Sequence, residues 1–289
     1  MSNYGKTPCC EDKQGDSQKE IEDSDNQCCG GYPDESTVSN PETPKLNADN
    51  DFFKEFEEMA YSMGVVEIAS AYMGAEITDG TGIQFQNAVV LTFKMDNEII
   101  KTPAGEKAQQ LNEEMYAKFA KITYRLSDFL RSNGYATQVA HPHGDLIDLS
   151  KLGQEAGLGW IGKHGLLITP KLGPLLKVSA IFTSIKNLPE NTGVDHSWID
   201  EYCERCNKCT IACPENAMVK KIHPNGEKET IFHPELCIGC SKGCTSCIGE
   251  CVFYKRGYDD IKRISDKLKE RMLKKKQNPS LYHLKKKKR

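Results

Sequence analysis

Cys203-Glu204-Arg205-Cys206-Asn207-Lys208-Cys209-Thr210-Ile211-Ala212-Cys213-Pro214 is the stretch that decides how this 289-residue chain reads. Its spacing, C-x2-C-x2-C-x3-C-P, is that of bacterial iron–sulfur sites, where the fourth cysteine ligates the other cluster of a pair. Such a run calls for a second group, and Cys237, Cys240, Cys244, Cys247 and Cys251 supply it within fifteen residues. Together Cys203 to Cys251 hold nine of the thirteen cysteines. A cubane offers four iron corners, so two intervening residues let a tight loop place successive sulfurs on neighbouring corners. The three-residue gap before Cys213 turns the last thiolate away. For two [4Fe–4S] clusters this assigns Cys203, Cys206, Cys209 and Cys251 to one and Cys213, Cys237, Cys244 and Cys247 to the other. Cys240 is then spare, and its replacing Cys237 or Cys244 is also compatible with the spacing. Paired CxxC motifs can hold structural zinc as well; the crossed run favours iron. Disulfides are disfavoured because nothing marks the chain as secreted.

The length allows two domains, or one with tails. No run approaches the eighteen or so apolar residues of a membrane span, and no apolar core follows Met1-Ser-Asn-Tyr-Gly-Lys6 as it would in a secretory signal. The expected setting is cytoplasmic and reducing. A net charge of −3 conceals opposed ends: residues 1–48 carry ten acids against four lysines, and residues 261–289 carry thirteen Lys or Arg against two acids. The basic end could hold nucleic acid through phosphates, although a solvated tail is the plainer reading. Residues 1–48 are poor in aliphatics and are expected to be disordered, with the pairs Cys9-Cys10 and Cys28-Cys29 as incidental thiols.

Order is expected from Asp51, read as an N-cap, with Phe52, Phe56, Met59, Ala60 and Met63 at helical spacing before Gly64. Val65–Ala69 reads as a short strand. Asn87–Phe93 reads as a strand buried on both faces. From Gly105 to Asn133, Leu111, Met115, Phe119, Ile122, Leu126 and Leu130 recur at threes and fours, the pattern of a long amphipathic helix. An extended piece at 136–140, a helix over Leu149–Glu155, strands at Leu166–Thr169 and Val178–Thr183, a hairpin around Pro224-Asn-Gly226 and a helix from Tyr258 to Lys276 complete the series. The expected class is α+β: a mixed sheet with helices over 49–192, a cysteine-rich domain over 193–256, and a basic helix and tail over 257–289.

Two further segments invite chemistry. Ala156-Gly-Leu-Gly-Trp-Ile-Gly-Lys163 leaves a helix and enters a strand, the reverse of a dinucleotide fingerprint. Its three glycines imply that backbone comes close to a packed element or to a flat cofactor. His141-Pro-His143-Gly-Asp145 groups two titratable rings and a carboxylate in a polar turn, which suits proton transfer near neutral pH.

The run Gly144-Asp-Leu-Ile-Asp-Leu, the segment Ala156-Gly-Leu-Gly-Trp-Ile-Gly-Lys-His-Gly-Leu-Leu-Ile-Thr-Pro170, Ala180-Ile-Phe-Thr183 and the CxxCxxCxxxCP run together resemble the epoxyqueuosine reductase and reductive dehalogenase superfamily, over roughly Phe52 to Asp260. The resemblance implies a nitroreductase-like α+β domain joined to a two-cluster ferredoxin-like domain. It also implies cobalamin held base-off between them, electrons passing from clusters to cobalt, and a redox protein as donor. Gly157, Gly159, Trp160, Gly162 and Lys163 become the expected cobalamin contacts. The place of the epoxyqueuosine reductases' acidic proton donor falls on His143, with Asp145 two residues on, and both stand as candidates. No counterpart of the dehalogenases' Tyr and Lys or Arg pair is found by matching sequence. The helical-repeat extension of many tRNA-acting members is not found either, and Cys240 and Val252 interrupt the second cluster motif. The expected function is an iron–sulfur oxidoreductase passing electrons from two [4Fe–4S] clusters to cobalamin or to a substrate, whether a small molecule or a tRNA. The rival is a ferredoxin-type carrier whose N-terminal domain only docks partners.

Overall fold

The computed structural model describes residues 35–74, 82–141, 146–191, 193–224 and 228–277. Its strands are, in chain order, β1 (Val65–Tyr72), β2 (Asn87–Lys94), β3 (Thr137–Ala140), β4 (Trp160–Ile161), β5 (Leu167–Ile168), β6 (Leu176–Thr183), β7 (Met218–Ile222) and β8 (Lys228–Phe232). The chain forms two compact units that interleave along the sequence. One comprises 1–93, 115–152 and 177–190; the other comprises 94–114, 153–176 and 191–289.

The first unit is built on a four-stranded sheet in the order β1-β2-β6-β3. β1 and β2 are antiparallel with Ile68 opposite Leu91, and β3 and β6 are antiparallel with Val139 opposite Ile181. The two central strands are the near-continuous apolar runs. β6 is buried at all eight positions, and β2 at six, as strands covered on both faces must be. The helix Glu106–Ser132 lays Met115, Phe119, Ile122, Leu126 and Leu130 inward. Phe119 stacks on Phe93 of β2 with ring centroids 4.6 Å apart, and Thr123 shares a buried 2.8 Å hydrogen bond with Ser179 of β6.

Two expectations change here. The helix Asn50–Ser62 is capped by Asp49, not Asp51: the Asp49 carboxylate accepts from the Phe52 N–H at 2.8 Å, and Asp51 lies inside the first turn. Residues 35–48, expected to be disordered, are tied down along their length. The Asp128 carboxylate accepts from Thr37 N and Oγ1 at 2.8 and 2.7 Å, Asn40 Nδ2 donates to Thr137 O at 2.9 Å, and Lys45 N donates to Gly134 O at 2.8 Å. A segment short of aliphatics is ordered here by hydrogen bonds to a neighbouring helix end rather than by burying apolar surface, which composition does not register. Cys9, Cys10, Cys28 and Cys29 lie outside the described residues.

The second unit is a set of short elements. β4 and β5 form a two-residue ladder, Trp160 opposite Ile168, and Thr169 bridges Gly173. The expected hairpin is present as antiparallel β7 and β8, with Met218 opposite Phe232. Helices run over Trp198–Cys206, Lys208–Ala212, Ser246–Gly249, Val252–Arg256 and Tyr258–Gln277. Its core joins Ile168, Trp198, Ile199, Cys251, Phe253 and Ile261, with Trp160, Tyr202 and Cys203 packed against it. No helix among the described residues is long and apolar enough to cross a membrane.

Candidate cluster and proton-transfer sites

The first cysteine run is bent by a single residue. The helix Trp198–Cys206 carries Cys203 and Cys206 and stops at Asn207, whose φ of 56° and ψ of 8° put it in the left-handed region. The next helix restarts at Lys208 and carries the buried Cys209. Asparagine tolerates that conformation better than most residues. The turn is what brings three thiols of consecutive helices to one place. Cys251 joins them from more than forty residues further on, as the extended residue before the helix Val252–Arg256.

Electrostatics group the thiols. Burial pushes the Cys203 thiol up to about 12, a hydrogen bond from the Lys163 backbone N–H opposes it, and Cys251, Cys209 and Cys206 push it further up. Cys251 is likewise pushed up to about 12, by burial first, against backbone N–H groups of Phe253 and Tyr254 and with Cys209 and Cys206 as its charged neighbours. Cys203, Cys206, Cys209 and Cys251 are therefore neighbours, each raising the cost of ionising the next. In the other set burial raises Cys237, aided by Cys240, Cys244 and Cys213, and burial raises Cys247, aided by Cys240, Cys209, Cys237 and Cys244. Cys213 is thus a neighbour of Cys237, Cys251 is a neighbour of Cys203, and Cys209 is also a neighbour of Cys247. Cys240 lies among the second set, which brings five thiols together.

The donor chemistry fits iron–sulfur clusters. All nine described cysteines are free thiols, and thiols made costly to ionise by burial and, second, by one another's charge are relieved when a metal takes the protons' place. Among the described residues no three His, Cys, Asp or Glu crowd closely enough to share one metal ion; a cubane, which spreads its thiolates over four separate irons, does not require such crowding.

The second set is fastened from behind. Gly239 and Gly243 adopt φ of 86° and 81°, and a Cβ on Gly243 would come within 2.8 Å of Ala108 Cβ and Gln109 N. Asn112, fully buried, donates from Nδ2 to the Cys240 carbonyl at 2.7 Å. Thr245 Oγ1 lies 3.5 Å from the Ile99 carbonyl.

The glycine segment resolves residue by residue. A Cβ on Gly159 would sit 2.0 Å from the Ile168 carbonyl oxygen, and one on Gly162 would meet Ile168 Cδ1 at 2.7 Å and His164 Cε1 at 3.0 Å. Their closeness is to the chain's own strand β5 and to the adjacent histidine. Gly157, at φ +71°, has open space where a Cβ would point. Trp160 packs on the core that contains Cys251. The Lys163 side chain is almost wholly enclosed, its Nζ 3.2 Å from Asn207 Oδ1 and 3.4 Å from Glu204 Oε1. His164 accepts from Leu166 N at Nδ1, 3.1 Å, so its neutral ring carries the proton on Nε2. That buried Nε2–H has no acceptor among the described residues, and burial holds the ring's pKa down at about 4.

His143 and Asp145 lie outside the described residues. What the sequence reading misses is in the first unit. Lys177 Nζ stands 4.6 Å from the centre of the Tyr116 ring, and Tyr116 meets His141 edge-on at 6.3 Å. All three are buried: Tyr116 and His141 are 6% exposed and Lys177 8%. Tyr116 precedes Thr123 by two helical turns and Lys177 precedes Ser179 by two strand positions. Both therefore share the helix–sheet face marked by the Thr123–Ser179 hydrogen bond. A lysine in a strand otherwise buried throughout is the signal that could have found the pair.

No protein-family model matches the chain. It is 30% identical over 157 residues to a tetrachloroethene reductive dehalogenase of Dehalobacter restrictus, covering 54% of this chain and 27% of that protein. It is 31% identical over 161 residues to an epoxyqueuosine reductase of a Synechococcus, covering 53% and 46%. Its homologues are reductive dehalogenases and epoxyqueuosine reductases. A solved reductive dehalogenase, described as B12-dependent, superposes with a TM-score of 0.59 at 18% identity over 81% of this chain and 36% of that one, which shows a shared mixed α+β fold. The chain spans between about a quarter and a half of the curated superfamily members it matches here.

Proposed function

We propose that the chain is the redox core of a reductive dehalogenase-like oxidoreductase, removing halogen from a small organic substrate with electrons drawn from two [4Fe–4S] clusters. The observation that carries this choice is the buried Tyr116–Lys177 pair, which answers the Tyr and Lys or Arg pair of the dehalogenases. Cys203, Cys206, Cys209 and Cys251 would hold one cluster; Cys213 with Cys237, Cys244 and Cys247 would hold the other, Cys240 standing beside them. Cobalamin would lie along the glycine turn, where Gly157 is open and His164 offers an unpaired buried Nε2–H, with Gly159, Trp160 and Gly162 shaping the turn. When bound, the clusters would relay single electrons and cobalamin would supply the low-potential metal at which the carbon–halogen bond is reduced.

The remaining chemistry belongs to this chain's residues. Replacing halogen by hydrogen consumes two electrons and one proton and releases halide. Tyr116 would give that proton from its phenol, and Lys177 would hold the phenolate until it is reprotonated. His141, in edge contact with Tyr116, is placed to take part in that return. A nitroreductase-like domain joined to a two-cluster ferredoxin-like domain, a cytoplasmic setting and a small redox protein as electron donor complete the proposal.

Anaerobic reconstitution with iron, sulfide and cobalamin tests it. The expected result is about eight irons per chain and dehalogenation of halogenated phenols or ethenes with reduced viologen, turnover falling at least ~100-fold in Tyr116→Phe with iron unchanged. A cluster-loaded chain that leaves the cobalamin spectrum unaltered and reduces nothing would be an electron carrier instead.

A further inference from the structure

We infer that Lys163 is a positioning residue for the cluster held by Cys203, Cys206, Cys209 and Cys251, clamping the ligand loop and setting that cluster's reduction potential. The inference rests on the two-cluster reading above. One residue reaches three places in the ligand run. Its backbone N–H donates to the Cys203 sulfur. Its ammonium approaches Glu204 Oε1 at 3.4 Å, inside the interval between Cys203 and Cys206, and donates to Asn207 Oδ1 at 3.2 Å, inside the interval between Cys206 and Cys209. Asn207 is the left-handed turn on which the spacing of those two cysteines depends, so the bond to its side chain holds the loop in its ligating shape.

The charge follows from burial. The Lys163 side chain is 3% exposed while Glu204 is 39% exposed, so water screens the carboxylate far more than the ammonium. The pair therefore leaves a net positive field on its buried side. Adding an electron makes a cluster more negative, and a fixed buried cation favours that form. Lys163 should thus raise the potential of this cluster and leave the other, held from Cys213 onward, nearly alone.

Redox titration of the reconstituted protein, followed by the paramagnetic spectrum of each reduced cluster, tests this. In Lys163→Met the affinity of one cluster for its electron is expected to fall about tenfold, a shift of about 59 mV to more negative potential, with the second cluster unmoved. Lys163→Arg, which keeps the charge, should restore most of the shift. Glu204→Gln, at a half-exposed site, should move the same cluster the opposite way by a smaller amount. That variant decides the matter if Lys163→Met fails to fold. Eight irons with both potentials unchanged in Lys163→Met, or both shifted alike, would overturn the inference, as would an unmoved potential in Glu204→Gln. A wild-type count far from eight irons would instead overturn the two-cluster reading.

Discussion

At the scale of single residues the glycine turn separates requirements that the sequence presents as one. Three glycines in six residues say only that backbone comes close to something, and which neighbour it is depends on β5, five or more residues further on. Gly159→Ala would drive a Cβ into the Ile168 carbonyl at 2.0 Å and is expected to destabilise the protein by on the order of 3 kcal/mol. Gly157→Ala meets open space and should cost only the left-handed conformation, about 1 kcal/mol. Comparing the two melting midpoints checks the distinction, and equal losses would refute it. His164 offers a pH test. Its ring, buried and neutral, has a pKa of about 4 against an ordinary 6.5, so the unfolded chain binds the extra proton between those values. Stability is therefore full above pH 6.5 and is lost as pH falls toward 4, by about 3 kcal/mol from this group. The wild-type midpoint should fall more steeply than that of His164→Gln across this window and run parallel to it below pH 4.

Elements are legible in the sequence where apolar spacing is continuous and illegible where polar contacts do the work. The helix Glu106–Ser132 and strands β2 and β6 announce themselves through Met115, Phe119, Leu126 and the run from Val89 to Phe93. The segment 35–48 does not, because its order comes from Asp128, Thr137 and Gly134 accepting bonds far along the chain. A chain beginning at residue 49 should lose on the order of 5 kcal/mol relative to one beginning at 35, from roughly ten hydrogen bonds at a net half kilocalorie each; identical melting would remove the strap from the account. Asn112 makes the same point inside a helix. A fully buried polar side chain at an otherwise apolar face signals a partner, and the partner is the Cys240 carbonyl. Asn112→Leu keeps the volume but leaves that carbonyl unpaired, costing about 1–3 kcal/mol. Iron should leave the second cluster to a chelator several-fold faster while the first keeps its rate.

Over the whole molecule, what the sequence conveys depends on how far apart the partners lie. The cysteine runs are local and so is their spacing, which is why a crossing of Cys213 and Cys251 can be proposed from the sequence. Tyr116 and Lys177 meet only through the register of a helix against a central strand, and no local pattern encodes that. The interleaving of the two units is hidden for the same reason, since residues 94–114 and 153–176 join the cysteine-rich unit through contacts and not through composition. The crossing itself gives the most direct test of the arrangement. Cys251→Ser, at the end of the second run, should disable the same cluster as Cys209→Ser in the first, so the two variants should keep about four irons each and show one and the same residual spectrum. Cys213→Ser should instead match Cys247→Ser. If Cys251→Ser and Cys247→Ser left identical spectra, each run would serve a cluster of its own, and the grouping in which Cys203 and Cys251 repel one another would not be the grouping that iron selects.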